Sequence, residues 1–160
     1  MLRLTLLQVN MIREISKYML ANNYTLSVAE SCTGGLISSS FTSQSGASKY
    51  FKGGVIAYSD NLKVQLLGLN ELDILEYGVV SKEIVELMAC NARVRCGVDF
   101  SIATTGWMDL SDNQLSQKAW VAICFKGNVT SKYFILKGTR LENMSLILTK
   151  ALNLLRKAIL

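Results

Sequence analysis

Thr25-Leu26-Ser27-Val28-Ala29-Glu30-Ser31-Cys32-Thr33-Gly34-Gly35 begins as a short apolar run and stops abruptly on polar residues and a glycine pair. Residues 25–29 read as a strand, and a helix is expected after Gly35, running to about Ser43. A strand that turns at once into a helix is the opening of a β–α unit, the building block of sheets covered by helices. Backbone N–H groups lack intrahelical partners at a helix N-terminus, and paired glycines let a ligand approach the main chain. A phosphate or a developing oxyanion suits such a place, and Ser31 could act there as a nucleophile. The competing reading is structural: Ser31 or Thr33 caps the helix and the glycines permit tight packing. The stretch alone leaves both open.

Working outward, a helix is predicted over residues 6–21, with Leu7, Met11, Ile15 and Tyr18/Met19 on one face and Asn22-Asn23 ending it. Downstream, a second strand runs from Phe51 to Tyr58. A short helix over 60–67 is closed by Gly68, and a loop leads to Gly78-Val79-Val80. Ser81 caps a helix in which Ile84, Met88 and Ala92 lie beside Val85 and Ala89. Strands follow over residues 99–104 and 118–125, and a turn at Lys126-Gly127-Asn128 makes a hairpin with residues 130–136. The last helix opens with a capping box, Thr139-x-x-Glu142, and should bury Met144, Ile147/Leu148, Ala151/Leu152 and Leu155. Strands that alternate with helices before a late hairpin predict an α/β fold of three layers, α/β/α, with a mixed sheet in the middle. No repeat or linker breaks the pattern, so a single domain over 1–160 is expected.

Composition narrows the chemistry. Half of the 160 residues are hydrophobic and 18% are charged, the balance of a globular protein. The chain has no histidine, which excludes Ser-His-Asp and Cys-His mechanisms and every histidine metal site. A base working near neutral pH must be a carboxylate, a lysine, a tyrosine or a thiolate. The formal charge of +5 favours anionic partners, but the basic residues are scattered, so a nucleic-acid partner is not expected. Cys32, Cys90, Cys96 and Cys124 form no C-x-x-C pair and read as reduced thiols, mostly core filler. The apolar opening is too short for a signal peptide and no segment is long enough to span a bilayer, so a cytoplasmic protein with no membrane partner is expected.

Three further positions stand out. Lys63 falls in the first turn of the helix after Tyr58-Ser59-Asp60, where the helix dipole and partial burial both lower a lysine's pKa toward that of a useful base. Without histidine, a lysine that takes a serine proton is among the few reasonable pairings; a solvated surface lysine is the alternative. Arg140 opens the last helix, where the dipole disfavours a cation; a bound anion, a carboxylate partner or simple exposure would each account for it. Thr104-Thr105-Gly106 ends a strand, a usual place for ligand contacts in α/β sheets.

Together these segments resemble the CinA C-terminal family, the nicotinamide-nucleotide amidohydrolases, over nearly the whole chain. Ala29-Glu30-Ser31-Cys32-Thr33-Gly34-Gly35 matches that family's A-E-S-C-T-G-G unchanged. Ser45-Gly46-Ala47-Ser48, Phe51-x-Gly53-Gly54-Val55-x-Ala57-Tyr58-Ser59, Lys63-x-x-x-Leu67-Gly68, Gly78-Val79-Val80-Ser81, Thr105-Gly106 and Gly138-Thr139-Arg140 follow in order. The resemblance implies Ser31 as nucleophile and Lys63 as base, with Tyr58 beside them. It places Thr33, Gly34, Gly35, Thr105, Gly106 and Arg140 around a phosphorylated nucleotide. The implied reaction turns nicotinamide mononucleotide and water into nicotinate mononucleotide and ammonia, with no metal and no cofactor. A homo-oligomer is implied as well.

The chain also departs from that pattern. After Thr-Gly the family has I-A-G-P-x-G-G and then K-P-V-G. Here the run is Trp107-Met108-Asp109-Leu110-Ser111-Asp112-Asn113-Gln114 and then Gln117-Lys118-Ala119. A second arginine one turn after Arg140 is Met144, and Y-S-N is Tyr58-Ser59-Asp60. A glycine-rich loop offers bare N–H groups to an anion, whereas Trp107 and Asp109 add bulk and negative charge. The alternative is therefore a catalytically impaired relative that binds a nucleotide or a partner.

Overall fold

The computed structural model describes residues 3–110 and 116–159. The elements are α1 (Leu6–Ala21), β1 (Leu26–Glu30), α2 (Leu36–Thr42), a 3-10 turn (Ala47–Lys49), β2 (Phe51–Ile56), α3 (Asp60–Leu67) and α4 (Glu71–Tyr77), followed by α5 (Lys82–Cys96), β3 (Phe100–Trp107), β4 (Lys118–Phe125), β5 (Asn128–Ile135) and α6 (Arg140–Ile159). The strands form one sheet in the order β2-β1-β3-β4-β5. β1 pairs in parallel with β2 and β3, while β4 and β5 are antiparallel additions. This is the expected three-layer α/β/α arrangement around a mixed sheet.

The two faces of the sheet are covered differently. Leu26, Val28, Phe100, Ile102, Val121 and Ile123 point to the side of α1, α2 and α6 and meet Ile12, Ile15, Ile37, Phe41 and Leu152. The alternate residues of the same strands are small: Ser27, Ala29, Ser101, Ala103 and Ala122. Small side chains let the backbone of α5 come close, and Ser101 Oγ donates to the Ala89 carbonyl at 2.6 Å. Met88, Ala89 and Ala92 complete that second core. The period-2 alternation of the strands thus sorts large residues to one layer and small ones to the other.

Three expectations need correction. Leu7 is 57% exposed, and Gln8 takes its place on the buried face. Thr5 caps α1 and makes Gln8 the partner residue of a capping box, while the Gln8 amide also donates to Ser145 and Thr149 of α6. A polar side chain with partners on the neighbouring helix displaces the leucine. Residues 71–77, expected as loop, form α4, capped by Asn70 and burying none of its residues. Met144 is only half-buried, and Asn143 is buried beside it. No helix among the described residues is long and apolar enough to cross a membrane.

Candidate active site

The chain leaves the end of β1 toward α2 on one face of the sheet and the end of β2 toward α3 on the other. A crevice opens where the crossover direction reverses, at the carboxyl ends of parallel strands. The cavity there measures about 230 Å³. Ser31, Tyr58, Lys63, Thr105, Gly106 and Arg140 line it, together with Trp107, Met108 and Asp109.

Ser31 sits one residue beyond β1, where its N–H bonds the Thr104 carbonyl at 3.1 Å. The residue is 7% exposed, and among the described residues its hydroxyl has no hydrogen-bond partner. The following turn is shaped by Gly34 and Gly35, whose φ values of 59° and 97° favour residues without Cβ. Glu30 organises that turn. Its carboxylate, fully buried, accepts from Thr33 Oγ1 at 2.7 Å, from the N–H groups of Gly35, Ile37 and Ser38 at 3.0, 3.0 and 2.8 Å, and from Ser38 Oγ at 2.6 Å. The N–H groups expected to be free for an anion at the start of α2 are therefore engaged from inside the protein. Neither Ser31 nor Thr33 caps α2, whose N-cap is Gly35 without a side-chain bond. Thr33 is buried, its hydroxyl shared between Glu30 and Thr104, so it stands outside the cavity with Gly34 and Gly35. Of the residues assigned to the substrate cradle, these three do not border this cavity.

Lys63 is buried, with its side chain 1% exposed, and makes one long contact of 3.5 Å to Asp60. Desolvation lowers its pKa from the ordinary lysine range, and Asp60 opposes that shift only in part. Ser59 caps α3 by accepting from Leu62 N, which fixes Lys63 one turn inside the helix. Cys32 turns inward, and burial pushes its thiol up to about 12. It stays a protonated thiol, which argues against it as the nucleophile.

The Thr105 hydroxyl donates to the Val79 carbonyl at 2.9 Å, so it ties β3 to the segment before α5. Gly106 is required by packing, because a Cβ there would stand 2.6 Å from the Lys118 carbonyl of β4. Arg140 donates to Asp109 at 2.9 Å and to the Tyr58 hydroxyl. Of the three explanations for a cation at this helix start, the structure selects the carboxylate partner. Lys118 Nζ lies 4.6 Å from the centroid of the Trp107 ring. Ser111, Asp112, Asn113 and Gln114 lie outside the described residues.

Asp60, Val79, Val80 and Met108, which stand in the quoted motifs without an assigned role, also border the cavity. Asn143 bonds the Met108 and Gly138 carbonyls at 2.7 and 2.9 Å and accepts from Gly138 N at 3.0 Å. One signal for Asn143 was present: it shares the buried helical face of Ile147 and Ala151, where a polar residue needs a partner.

A family profile described as the CinA C-terminal domain matches residues 8–159. A CinA-like protein of Prochlorococcus marinus (strain AS9601) is 50% identical over 96 residues, covering 60% of this chain and 22% of that protein. A CinA-like protein of Amoebophilus asiaticus (strain 5a2) is 34% identical over 146 residues, 89% of this chain and 35% of that protein. The chain thus spans about a third or less of the length of these relatives. The crystal structure of the competence/damage inducible protein CihA from Agrobacterium tumefaciens superposes with a TM-score of 0.93 at 25% identity, covering 98% of both chains.

Proposed function

Because this chain belongs to the CinA C-terminal domain family, we propose that it is an amidohydrolase that releases ammonia from the carboxamide of a nicotinamide-type ligand. The observation that carries this reading is the convergence of Ser31 and a buried Lys63 on one cavity in a protein without histidine. Neutral Lys63 takes the Ser31 hydroxyl proton as Oγ attacks the amide carbon. The protonated amine then passes that proton to the leaving nitrogen, and ammonia departs from an acyl-serine ester. Water, deprotonated by Lys63, attacks the ester; the acid is released and Ser31 recovers its proton. Tyr58 accepts a hydrogen bond from Arg140, which leaves its own O–H free to donate to the oxyanion.

The test is ammonia release from nicotinamide mononucleotide and from related nicotinamide amides. Ser31→Ala and Lys63→Met should each lose about a hundredfold to ten-thousandfold in kcat, the usual span for a proton-transfer partner. Wild-type turnover that survives in both variants would remove the serine–lysine pair from the mechanism. A second reading, a non-catalytic partner-binding protein, draws on Leu72 and Leu75 of α4, which stand 68% and 80% exposed. It predicts no turnover of any nicotinamide amide by the wild type.

A further inference from the structure

Two carboxylates, Asp60 and Asp109, and two basic side chains, Lys63 and Arg140, border the cavity; Lys63 is neutral in the reaction proposed above, and Arg140 already has its carboxylate. Lys63 meets Asp60 at 3.5 Å, and Arg140 meets Asp109 at 2.9 Å. Among the described residues, the cavity therefore offers a phosphate dianion no unpaired cation. The nearest helix start does not help, since the N–H groups of Gly35, Ile37 and Ser38 are held by Glu30. Lys118 is the cation beyond Trp107, but it does not border the cavity. By sequence alone, residues 111–115 contain one acid and no base.

The same lining suits a positive ring. With Lys63 neutral and Arg140 paired to Asp109, the described lining keeps one negative charge in excess, that of Asp60, whose side chain is 60% exposed. Tyr58 and Trp107 supply aromatic surface, and Trp107 already holds an ammonium over its face. A pyridinium bearing a carboxamide is attracted by both features; a 5′-phosphate on the same molecule would meet that negative excess and, among the described residues, no available cation.

We infer that the cleft takes a cationic aromatic carboxamide without a phosphate, the riboside of nicotinamide in preference to its 5′-phosphate, and that Asp109 sets this choice by occupying Arg140. The inference rests on the amidohydrolase reading of the same cleft. Arg140 and Asp109 are 42% and 52% exposed, so solvent screens the pair and its leverage on ligand choice is about threefold to tenfold.

The experiment measures kcat/KM for ammonia release from the riboside and from its 5′-phosphate, with wild type and Asp109→Asn. Calorimetry of both ligands on Ser31→Ala, and on Ser31→Ala with Asp109→Asn, runs beside it. The wild type should favour the riboside. Asp109→Asn should move the ratio toward the phosphate by about threefold to tenfold, mainly through KM, with the shift shrinking at high salt. A wild type that favours the phosphate, or a ratio that Asp109→Asn leaves unmoved, overturns the inference while the amidohydrolase reading stands. If neither ligand yields ammonia, that reading fails, and calorimetry alone decides. Tighter riboside binding, narrowed by Asp109→Asn, supports the inference, and any other binding result overturns it.

Discussion

Each wall of the cleft is tied by one buried polar side chain, and the two differ in whether other side chains take part. On the wall that carries Ser31, one buried carboxylate, Glu30, gathers three backbone N–H groups, of Gly35, Ile37 and Ser38, and two side-chain hydroxyls, of Thr33 and Ser38. The facing wall is held through its backbone, with Asn143 bonding the Met108 carbonyl and the Gly138 N–H and carbonyl. Side chains that are themselves the scaffold cannot change without cost. Side chains hung on a backbone-held loop can. That difference explains how A-E-S-C-T-G-G stands intact at residues 29–35 while residues 107–109 read Trp-Met-Asp, and why the rewriting leaves the cleft in place.

The largest expected effect comes from removing the two anchors and comparing them. Glu30→Ala strips five donors of their acceptor inside the core and should lower stability by about 3–5 kcal/mol. Asn143→Ala opens three bonds on the other wall and should lose about 2–3 kcal/mol. Urea unfolding midpoints, with slopes checked for equality, measure both. Hydrogen exchange should then show Glu30→Ala loosening α2 and Asn143→Ala loosening residues 107–109. Equal losses, or loosening that spreads across both walls in either variant, would break the contrast.

A smaller effect is expected from Lys63, a buried amine on the first wall. Burial lowers its pKa in the folded protein below that of the unfolded chain. Between those two values the unfolded chain holds more protons, so stability attributable to Lys63 climbs as pH rises through that window, below the ordinary lysine range. Lys63→Met replaces the amine with an apolar group of similar length. It should gain about 1–2 kcal/mol on the acid side of the window, with the gain fading as pH rises. Thermal melts of wild type and variant across that range give the difference curve. A difference that is flat or grows with pH would mean that Lys63 stays charged and solvated, and the base of the proposed reaction would be lost with it.

The sequence makes the scaffold legible where the signal is local. The Thr139-Glu142 capping box is present, with Thr139 N donating to Glu142 at 2.8 Å. α1 spans Leu6–Ala21 and β4 spans Lys118–Phe125, both as expected. Ser31, Tyr58, Lys63 and Arg140, which come from three separate places in the chain, border one cavity. What the sequence hides is which acceptor answers an orphan donor. Glu30 precedes the donors it serves by three to eight residues, a spread that no capping motif describes. Its only mark is a charge ending the apolar run Leu26 to Ala29. Thr33 therefore looks like a ligand contact until its hydroxyl is found turned inward. The same blindness applies to Arg140, whose partner Asp109 is 31 residues away, and to Gln8, whose partners lie on α6.

The smallest expected effect tests the permissive wall directly. Trp107 is half-buried at the end of β3, opposite Lys118 on β4. Its one named polar contact is the Lys118 ammonium, 4.6 Å from the ring centroid. An exposed contact of that kind contributes about 0.5–1 kcal/mol. Because the loop beyond it is held by Asn143 through main-chain groups, Trp107→Leu should cost under about 1 kcal/mol. The Ser31 side should keep its hydrogen-exchange protection. Ligand selection should respond instead: loss of the ring removes aromatic surface from the cleft, so the preference for a cationic ring should weaken while kcat for the bound amide holds. A stability loss as large as that of Asn143→Ala would make Trp107 part of the scaffold, and the wall would no longer count as free to vary.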